Sequence, residues 1–463
     1  MGRQLRCLLC MQLIYSLFLK RPRAYCSWLF FFFISTCPGQ SSELATKSIF
    51  GIIKSDKDSV GIEGVHLYIR NTATGTVTNV AGEFEIKIPS KFDLSKTQII
   101  VSSIGYKTKL FNADSALSKS LVIYLESIAY LLDEVLVSQK QEDSSNYILS
   151  EAIHSIQFNY PRKKHLLEGF YRAVSTRDTS YTRLIEAAIR VQEVGYQKNT
   201  WEEESLTMVK NRVKVIEIRK SDDFRERDLL TKALMLVFGE RNDLYEVLGC
   251  NYVRILDRNS NHVMAKENLA KYTAEYHGQV EWDGKKAYSV SLVYNPSKGF
   301  QWDKINFIIN KLDFAILRIE LKRMASPTRK DIPKESLVDG KYFFRADITY
   351  RKIDQKYYPV LIHRVGSDYD ASNTVKIDGK VVKQSSDQIF LLTNVISEDF
   401  SKIKWKDAED RDADLYKLNL PYNEEFWKNY NTVKLNPLKR TPTELEKNRS
   451  LEEQFKKANK NND

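Results

Sequence analysis

Past residue 40 the chain has a single cysteine, Cys250; the other four, Cys7, Cys10, Cys26 and Cys37, crowd into the leader of this 463-residue sequence. A chain cleaved before Gln40 therefore has no intramolecular disulfide to form. Past residue 40 no C-x-x-C pair, G-x-S-x-G elbow or Gly-rich phosphate loop is present, and the C-x-x-C spacing of Cys7 and Cys10 lies in the leader, so redox, α/β-hydrolase and nucleotide chemistry lose their usual signatures. No run reaches the roughly 20 apolar residues that span a bilayer. Nor is there an Arg/Lys block interleaved with aromatics, which argues against nucleic acid as a partner. The formal net charge of +11 misleads: Arg3, Arg6, Lys20, Arg21 and Arg23 supply five of it with no nearby acid, leaving +6 for the rest.

Residues 1–39 have the layout of a secretory signal peptide. Lys20-Arg21-Pro22-Arg23 is a positive n-region, Trp28 to Ile34 an apolar h-region, and Cys37-Pro38-Gly39 places small residues before Gln40. The earlier stretch Leu8 to Leu19 is interrupted by Gln12 and Ser16 and is superfluous to such a leader. Ile34-Ser35-Thr36-Cys37 partly resembles a lipoprotein box, which would make Cys37 a lipid anchor; Thr36 fits the position before the cysteine poorly, so the anchor is disfavoured. The expected setting is the periplasm or the outer membrane, with no transmembrane helix in the mature chain.

Residues 46–138 read as short strands. Val65, Leu67 and Ile69 alternate with His66, Tyr68 and Arg70, so the first set is expected to face a core and the second solvent. Gly75 to Phe84 gives a threonine-rich strand, an Asn79-led turn and the start of a strand that continues through Ile86 and Ile88 to Pro89. Further strands are expected at Ile99–Ser103, Lys107–Phe111, Leu121–Leu125 and Val135–Val137, the spacing of an antiparallel sandwich.

These residues carry a resemblance. Gly75, Thr76, Thr78, Gly82 and Phe84, then Ser102, Gly105 and Tyr106, then Leu132, Glu134, Val135 and Val137 follow the pattern of the carboxypeptidase-regulatory-like domain. That family implies a transthyretin-like sandwich of the kind abundant in Bacteroidota envelope proteins. Asn79 departs from the family's Asp, but both side chains close an Asx turn. In TonB-dependent receptors a similar ending precedes a plug and a barrel; too few residues follow here, and the strands lack a continuous lipid-facing side.

The expected fold class is mainly β: the sandwich, then a larger curled antiparallel β (α+β) domain with a few helices. Residues 139–165 read as a linker with a helix, capped at Ser144-Ser145-Asn146, apolar on the face of Ile148, Leu149, Ala152, Ile153 and Ile156, and ended by Tyr160-Pro161. Residues 166–435 form the larger domain. Its expected strands are Leu167–Thr176, Tyr181–Val194, Tyr272–Trp282, Ala287–Tyr294, Trp302–Asn310, Ala315–Met324, Tyr342–Arg351, Tyr358–Val365 and Gln388–Ile396, with a helical insertion near Arg227–Phe238. Tyr288-Ser289-Val290, Phe307-Ile308-Ile309-Asn310 with Asp313-Phe314-Ala315-Ile316, and Tyr358-Pro359 make it similar to the half-barrel of periplasmic lipoprotein carriers. That resemblance implies a concave side that either encloses an apolar ligand or is filled by its own side chains. In the C-terminal part, Pro421 to Trp427 is expected to dock back, and the polar tail 436–463 to be a solvated helix or frayed end.

The family name raises metallopeptidase chemistry. His165 and Glu168 have H-x-x-E spacing, with His262 and His277 as third-ligand candidates. On a strand, however, residues three apart point to opposite faces, and the sandwich precedes the rest of the chain rather than following a catalytic domain. Asp222-Asp223 and Glu202-Glu203-Glu204 read as solvated turns. No catalytic, cofactor-binding or metal residue is therefore assigned, and no cofactor is expected. The reading is a non-enzymatic envelope protein that binds an apolar ligand or another envelope protein. A zinc-dependent hydrolase and a purely structural component remain the alternatives.

Overall fold

A computed structural model describes residues 46–117, 120–128, 140–177, 180–196, 211–224, 243–257, 264–269, 271–294, 301–325, 342–367, 376–377, 380–381, 384–410, 414–437, 444–446 and 448–458. The expected strand at Val135–Val137, the helical insertion at Arg227–Phe238 and the leader lie outside these residues.

Seven strands build the sandwich: β1 (Thr46–Ser55), β2 (His66–Ile69), β3 (Gly75–Val77), β4 (Glu83–Pro89), β5 (Gln98–Ser102), β6 (Lys109–Asn112) and β7 (Leu121–Leu125). They form two sheets, β4-β1-β7 and β3-β2-β5-β6. Ile49, Ile53, Val65, Leu67, Phe84, Ile86, Ile99 and Val101 are fully buried between them. The expected antiparallel pairing holds except for β1 and β7, which run parallel. The Asn79 side chain closes its turn as the sequence implies, Oδ1 accepting from Ala81 N at 3.0 Å and Glu83 N at 2.9 Å. Gly82 follows at φ +80°, a conformation that suits glycine, and a Cβ there would strike the Ile53 carbonyl.

The larger domain is one ten-stranded antiparallel sheet. Its strands are β8 (His165–Arg177), β9 (Ser180–Glu193), β10 (Arg212–Lys220), β11 (Thr273–Trp282), β12 (Lys285–Tyr294), β13 (Gln301–Asn310), β14 (Ile316–Ala325), β15 (Tyr342–Ile353), β16 (Lys356–Ser367) and β19 (Gln384–Ile396), with β17 (Lys376–Ile377) and β18 (Lys380–Val381) as a separate ribbon. The order β10-β9-β8-β19-β16-β15-β14-β13-β12-β11 joins a meander to the strands that precede it in sequence through the β19–β8 pairing. Strand β10 had no counterpart in the sequence reading. Its alternation is interrupted by a bulge between Val215 and Glu217.

Both faces of this sheet are covered. On the inner face, Leu167, Tyr171, Ile189, Phe307, Ile319, Ile348 and Phe390 share a core with helices α1 (Lys140–His154), α2 (Ile156–Asn159), α3 (Asp243–Gly249), α4 (Val253–Leu256) and α5 (Lys266–Leu269). Of the expected apolar face, Ile148, Leu149 and Ala152 in α1 and Ile156 at the start of α2 are buried, while Ile153 is half-buried. Each such side chain stabilises the domain by about 1.5–3 kcal/mol when fully buried, Ala152 less. The helix begins before Ser144, however, so Ser144–Asn146 lie within it rather than capping it.

The outer face carries the sandwich and the C-terminal segment. His66 and Tyr68 point at this face and are 6 % and 4 % exposed, so the expectation that they face solvent is overturned; only Arg70 of the three is exposed. Alternation shows that a strand has two environments, and here both were protein. The Arg351 guanidinium lies 3.6 Å from the Tyr68 ring centroid, and Trp282 meets His66 edge-on at 5.8 Å. Asp283 N donates to Ser102 Oγ at 3.2 Å and Gly284 N to Thr108 Oγ1 at 3.1 Å, clamping the β11–β12 turn to the sandwich.

The C-terminal segment runs along the same face. Asn431 makes a two-way bond to the Lys87 backbone (2.7 and 2.8 Å), and Trp427 is buried with Val77, Phe170 and Leu391. Helix α6 (Glu424–Asn429) leads into it, and α7 (Leu451–Ala458) packs Phe455 with Leu445 against Val174, Tyr181 and Leu184. The described part of the tail is therefore docked, not frayed. Beneath it Glu186 is buried between Arg172 and Arg219, and Arg219 stacks on Trp427 at 4.4 Å and Phe455 at 5.2 Å. Burial alone would raise the Glu186 carboxyl, but the two guanidiniums hold it below the usual carboxylate range.

Candidate functional site

Helix α1 does not seal the inner face completely. Between it, α5 and β12 lies a cavity of about 590 Å³. Leu149 and Ile153 from α1, Leu269 from α5 and Leu292 from β12 supply its apolar walls, while Arg162, Lys266 and His154 set two permanent cations and a histidine against one acid, Asp257. The period of α1 that buries Leu149 against the sheet also turns Asn146 and Ser150 toward the cavity.

Tyr196 lines the cavity and leads to a buried polar network. Asn251 Nδ2 donates to the Tyr196 hydroxyl at 2.8 Å, and the Tyr350 hydroxyl donates to Asn251 Oδ1 at 3.0 Å. Nearby, Glu193 pairs with Arg254, and Asn211 bridges them: its Nδ2 donates to Glu193 Oε1 at 3.1 Å and its Oδ1 accepts from Arg254 Nη1 at 3.1 Å. Glu193 and Arg254 are 3 % and 4 % exposed at their side chains, so each charge depends on the other. Tyr160 stacks among Tyr196, Tyr350 and Tyr357 at ring separations of 5.2 to 6.0 Å. Burial raises the Tyr160, Tyr196 and Tyr350 hydroxyls well above their ordinary range, which keeps them neutral donors. Sequence reading missed this network. Its available signal was Arg254 inside the apolar run Tyr252 to Leu256.

The zinc candidates do not converge. His165 opens β8 opposite Glu193 on the inner side, its Nδ1 3.0 Å from the Lys163 carbonyl and its ring edge-on to Tyr358. Burial holds its pKa below the ordinary histidine value, against the opposing pull of Glu193 and the Lys163 carbonyl. Glu168 sits opposite Arg190 and accepts from its Nε at 2.9 Å and from Asn394 Nδ2 at 3.0 Å. His277 lies on β11, with six strands between it and β8, and its Nε2 is 2.7 Å from Ser291 Oγ. His262 and Glu202–Glu204 lie outside the described residues. Among the described residues no group of three His, Cys, Asp or Glu side chains could hold a metal ion. Asp222 is not part of a carboxylate pair but meets the C-terminal helix, its N–H donating to Gln454 Oε1 at 2.8 Å. Cys250 is buried, and desolvation pushes its thiol up to about 11.

Residues 49–137 match the family model of the CarboxypepD_reg-like domain. The N-terminal sandwich is a CarboxypepD_reg-like domain. No curated protein matches the chain. Among solved structures the chain is similar to a domain described as an outer membrane lipoprotein-sorting protein from Vibrio parahaemolyticus, at 7 % identity and a TM-score of 0.26 over 56 % of this chain and 95 % of that one. A DUF1329 family protein from Desulfovibrio piger matches at 11 % identity and 0.24, with the same coverage. Lipovitellin matches at 9 % and 0.21, over 52 % of this chain and 26 % of that one. Among the described residues the lining of the helix-lined cavity comes from the 139–165 segment and the β-rich domain, not from the CarboxypepD_reg-like domain. No helix among the described residues is long and apolar enough to cross a membrane.

Proposed function

We propose that this is a non-enzymatic, exported protein of a Bacteroidota-type cell envelope whose β-rich domain binds an apolar ligand carrying an acidic head group. One observation carries the reading: the 590 Å³ cavity joins apolar walls at Leu149, Ile153, Leu269 and Leu292 to the cations Arg162 and Lys266. Ligand sites fall in this size range and combine apolar lining with a few placed polar groups. The hydrocarbon would lie between α1 and β12, and the head group would meet the cations Arg162 and Lys266; Glu193, behind Tyr196, is already paired with Arg254. The signal-like leader supports export.

Native mass spectrometry of the exported protein from its own host, purified without detergent, tests this. A bound mass that is released as a lipid on denaturation supports it, and Ile153→Trp, which fills the cavity, should abolish that mass. A bare polypeptide in the wild type overturns it. A protein-binding role draws on a different feature: Phe50, Val122 and Tyr124 stand 40 %, 55 % and 42 % exposed on the outer side of the β4-β1-β7 sheet. The bare-polypeptide result would make that face the next target for partner capture.

A further inference from the structure

A second cavity, of about 570 Å³, lies at the seam where the CarboxypepD_reg-like domain meets the ends of the large sheet. Strand β2 supplies one wall, and the β11–β12 and β15–β16 hairpins supply the other. The central residue is Arg351. Its guanidinium is stacked on Tyr68 at 3.6 Å and one Nη2 donates to the Thr72 carbonyl at 2.9 Å. Its Nε is buried and makes no hydrogen bond, and no carboxylate among the described residues lies within ion-pair distance of it. Desolvation pulls its pKa below the ordinary arginine value, with Tyr68 and then Asp283 acting in the opposite sense.

Arg351 is half-buried as a whole, but its inaccessible Nε has no partner, and a guanidinium drawn partly out of water is stabilised by a paired, hydrogen-bonded anion. Asp283, one of the acids lining the cavity, already accepts the Tyr68 hydroxyl. Arg70 and Lys285 add positive charge from the two opposing walls, whereas Lys352 leans to Asp313 at 3.6 Å. Leaving Lys352 aside, three cations face two acids, Asp283 and Asp354. The volume is that of a small-molecule site, and an arginine fork suits a carboxylate or phosphate better than a halide ion.

We propose that the seam cavity binds a small anionic ligand through a carboxylate or phosphate group seated on Arg351, with Arg70 and Lys285 closing from either side. Because its walls come from both parts of the molecule, the ligand joins the CarboxypepD_reg-like domain more firmly to the sheet. This site is independent of the helix-lined cavity, and neither reading depends on the other.

Thermal unfolding of the exported protein at constant ionic strength, with chloride replaced stepwise by inorganic phosphate or by glucuronate, tests it; glucose serves as the uncharged control. Binding to the folded state alone raises the melting temperature in a saturable way. The expected result is such a rise with at least one of the anions and none with glucose, and the stronger anion identifies the preferred group. Lys285→Gln, an exposed position, should weaken the apparent affinity about tenfold, the loss of roughly one charge-assisted contact. Arg351→Gln should abolish the rise. Should Arg351→Gln fail to fold, equilibrium dialysis of radiolabelled phosphate or glucuronate against wild type and Lys285→Gln decides instead. No saturable rise in wild type with either anion, or an equal affinity in Lys285→Gln, overturns the proposal.

Discussion

Lowering the pH below 6.5 sets the folded and unfolded states against each other at His66. In the folded protein this ring is 6 % exposed, edge-on to Trp282, at the seam between sandwich and sheet. Burial lowers its pKa to about 3, with Arg351 and Arg318 adding repulsion and Asp347 acting in the opposite sense. The unfolded chain takes up the proton near 6.5 and the folded one does not, so the unfolded state binds more protons throughout the interval between. Stability from this residue is thus present above pH 6.5 and is lost as pH falls toward 3. At about 1.4 kcal/mol per pH unit, going from pH 7.5 to 5 should cost about 2 kcal/mol through His66 alone. Urea unfolding of wild type and His66→Phe at both pH values measures it. Phenylalanine keeps a ring against Trp282 but cannot titrate, so the acid-induced loss should shrink by about 2 kcal/mol in the variant. An equal loss in both proteins would refute the argument and would mean that the ring is solvated or that the seam opens before His66 is protonated.

Glu186→Gln should lower stability by about 3–5 kcal/mol in chemical denaturation, because it leaves Arg172 and Arg219 uncompensated beneath the C-terminal segment; a loss under about 1 kcal/mol would show the cluster to be solvated. His363 Nε2 donates to Asp387 Oδ1 at 2.9 Å. Burial alone would lower the His363 pKa, but the carboxylate raises it overall. That contribution is complete below the ordinary histidine value and fades as pH rises through the raised one, so His363→Gln should flatten the alkaline side of the stability profile. Phe455→Ala should cost about 3 kcal/mol by emptying the site under α7, and limited proteolysis should then cut first near residue 450; unchanged protection would mean that the helix is held by its polar contacts.

Local chemistry wrote the sandwich into the sequence. Asn79, Gly82 and Gly105 meet a local turn geometry, and the alternation of Phe84, Ile86 and Ile88 needs only one buried face. The hairpins of the large sheet were legible for the same reason, since β8–β9 and β11–β12 join neighbours along the chain. What alternation cannot encode is which neighbour covers the second face of a strand. His66 and Tyr68 read as solvent-facing because nothing local announces that the outer face of another sheet will meet them. Strand β10, with its bulge, and the short helices α3 to α5 gave too few periods to recognise. Leu445 and Phe455 looked sparse in a polar tail, yet they are buried because α7 returns to Val174 and Leu184. Both cavities belong to this second class. The helix-lined one exists because α1 and α5, more than 100 residues apart, lie side by side on the inner face. The seam cavity exists because β2 faces hairpins more than 200 residues away. Sequence determined the strands, the turns and the family of the sandwich, all of which depend on contacts a few residues long. Only tertiary structure decided which charges would be buried together, because that depends on faces meeting across the whole chain.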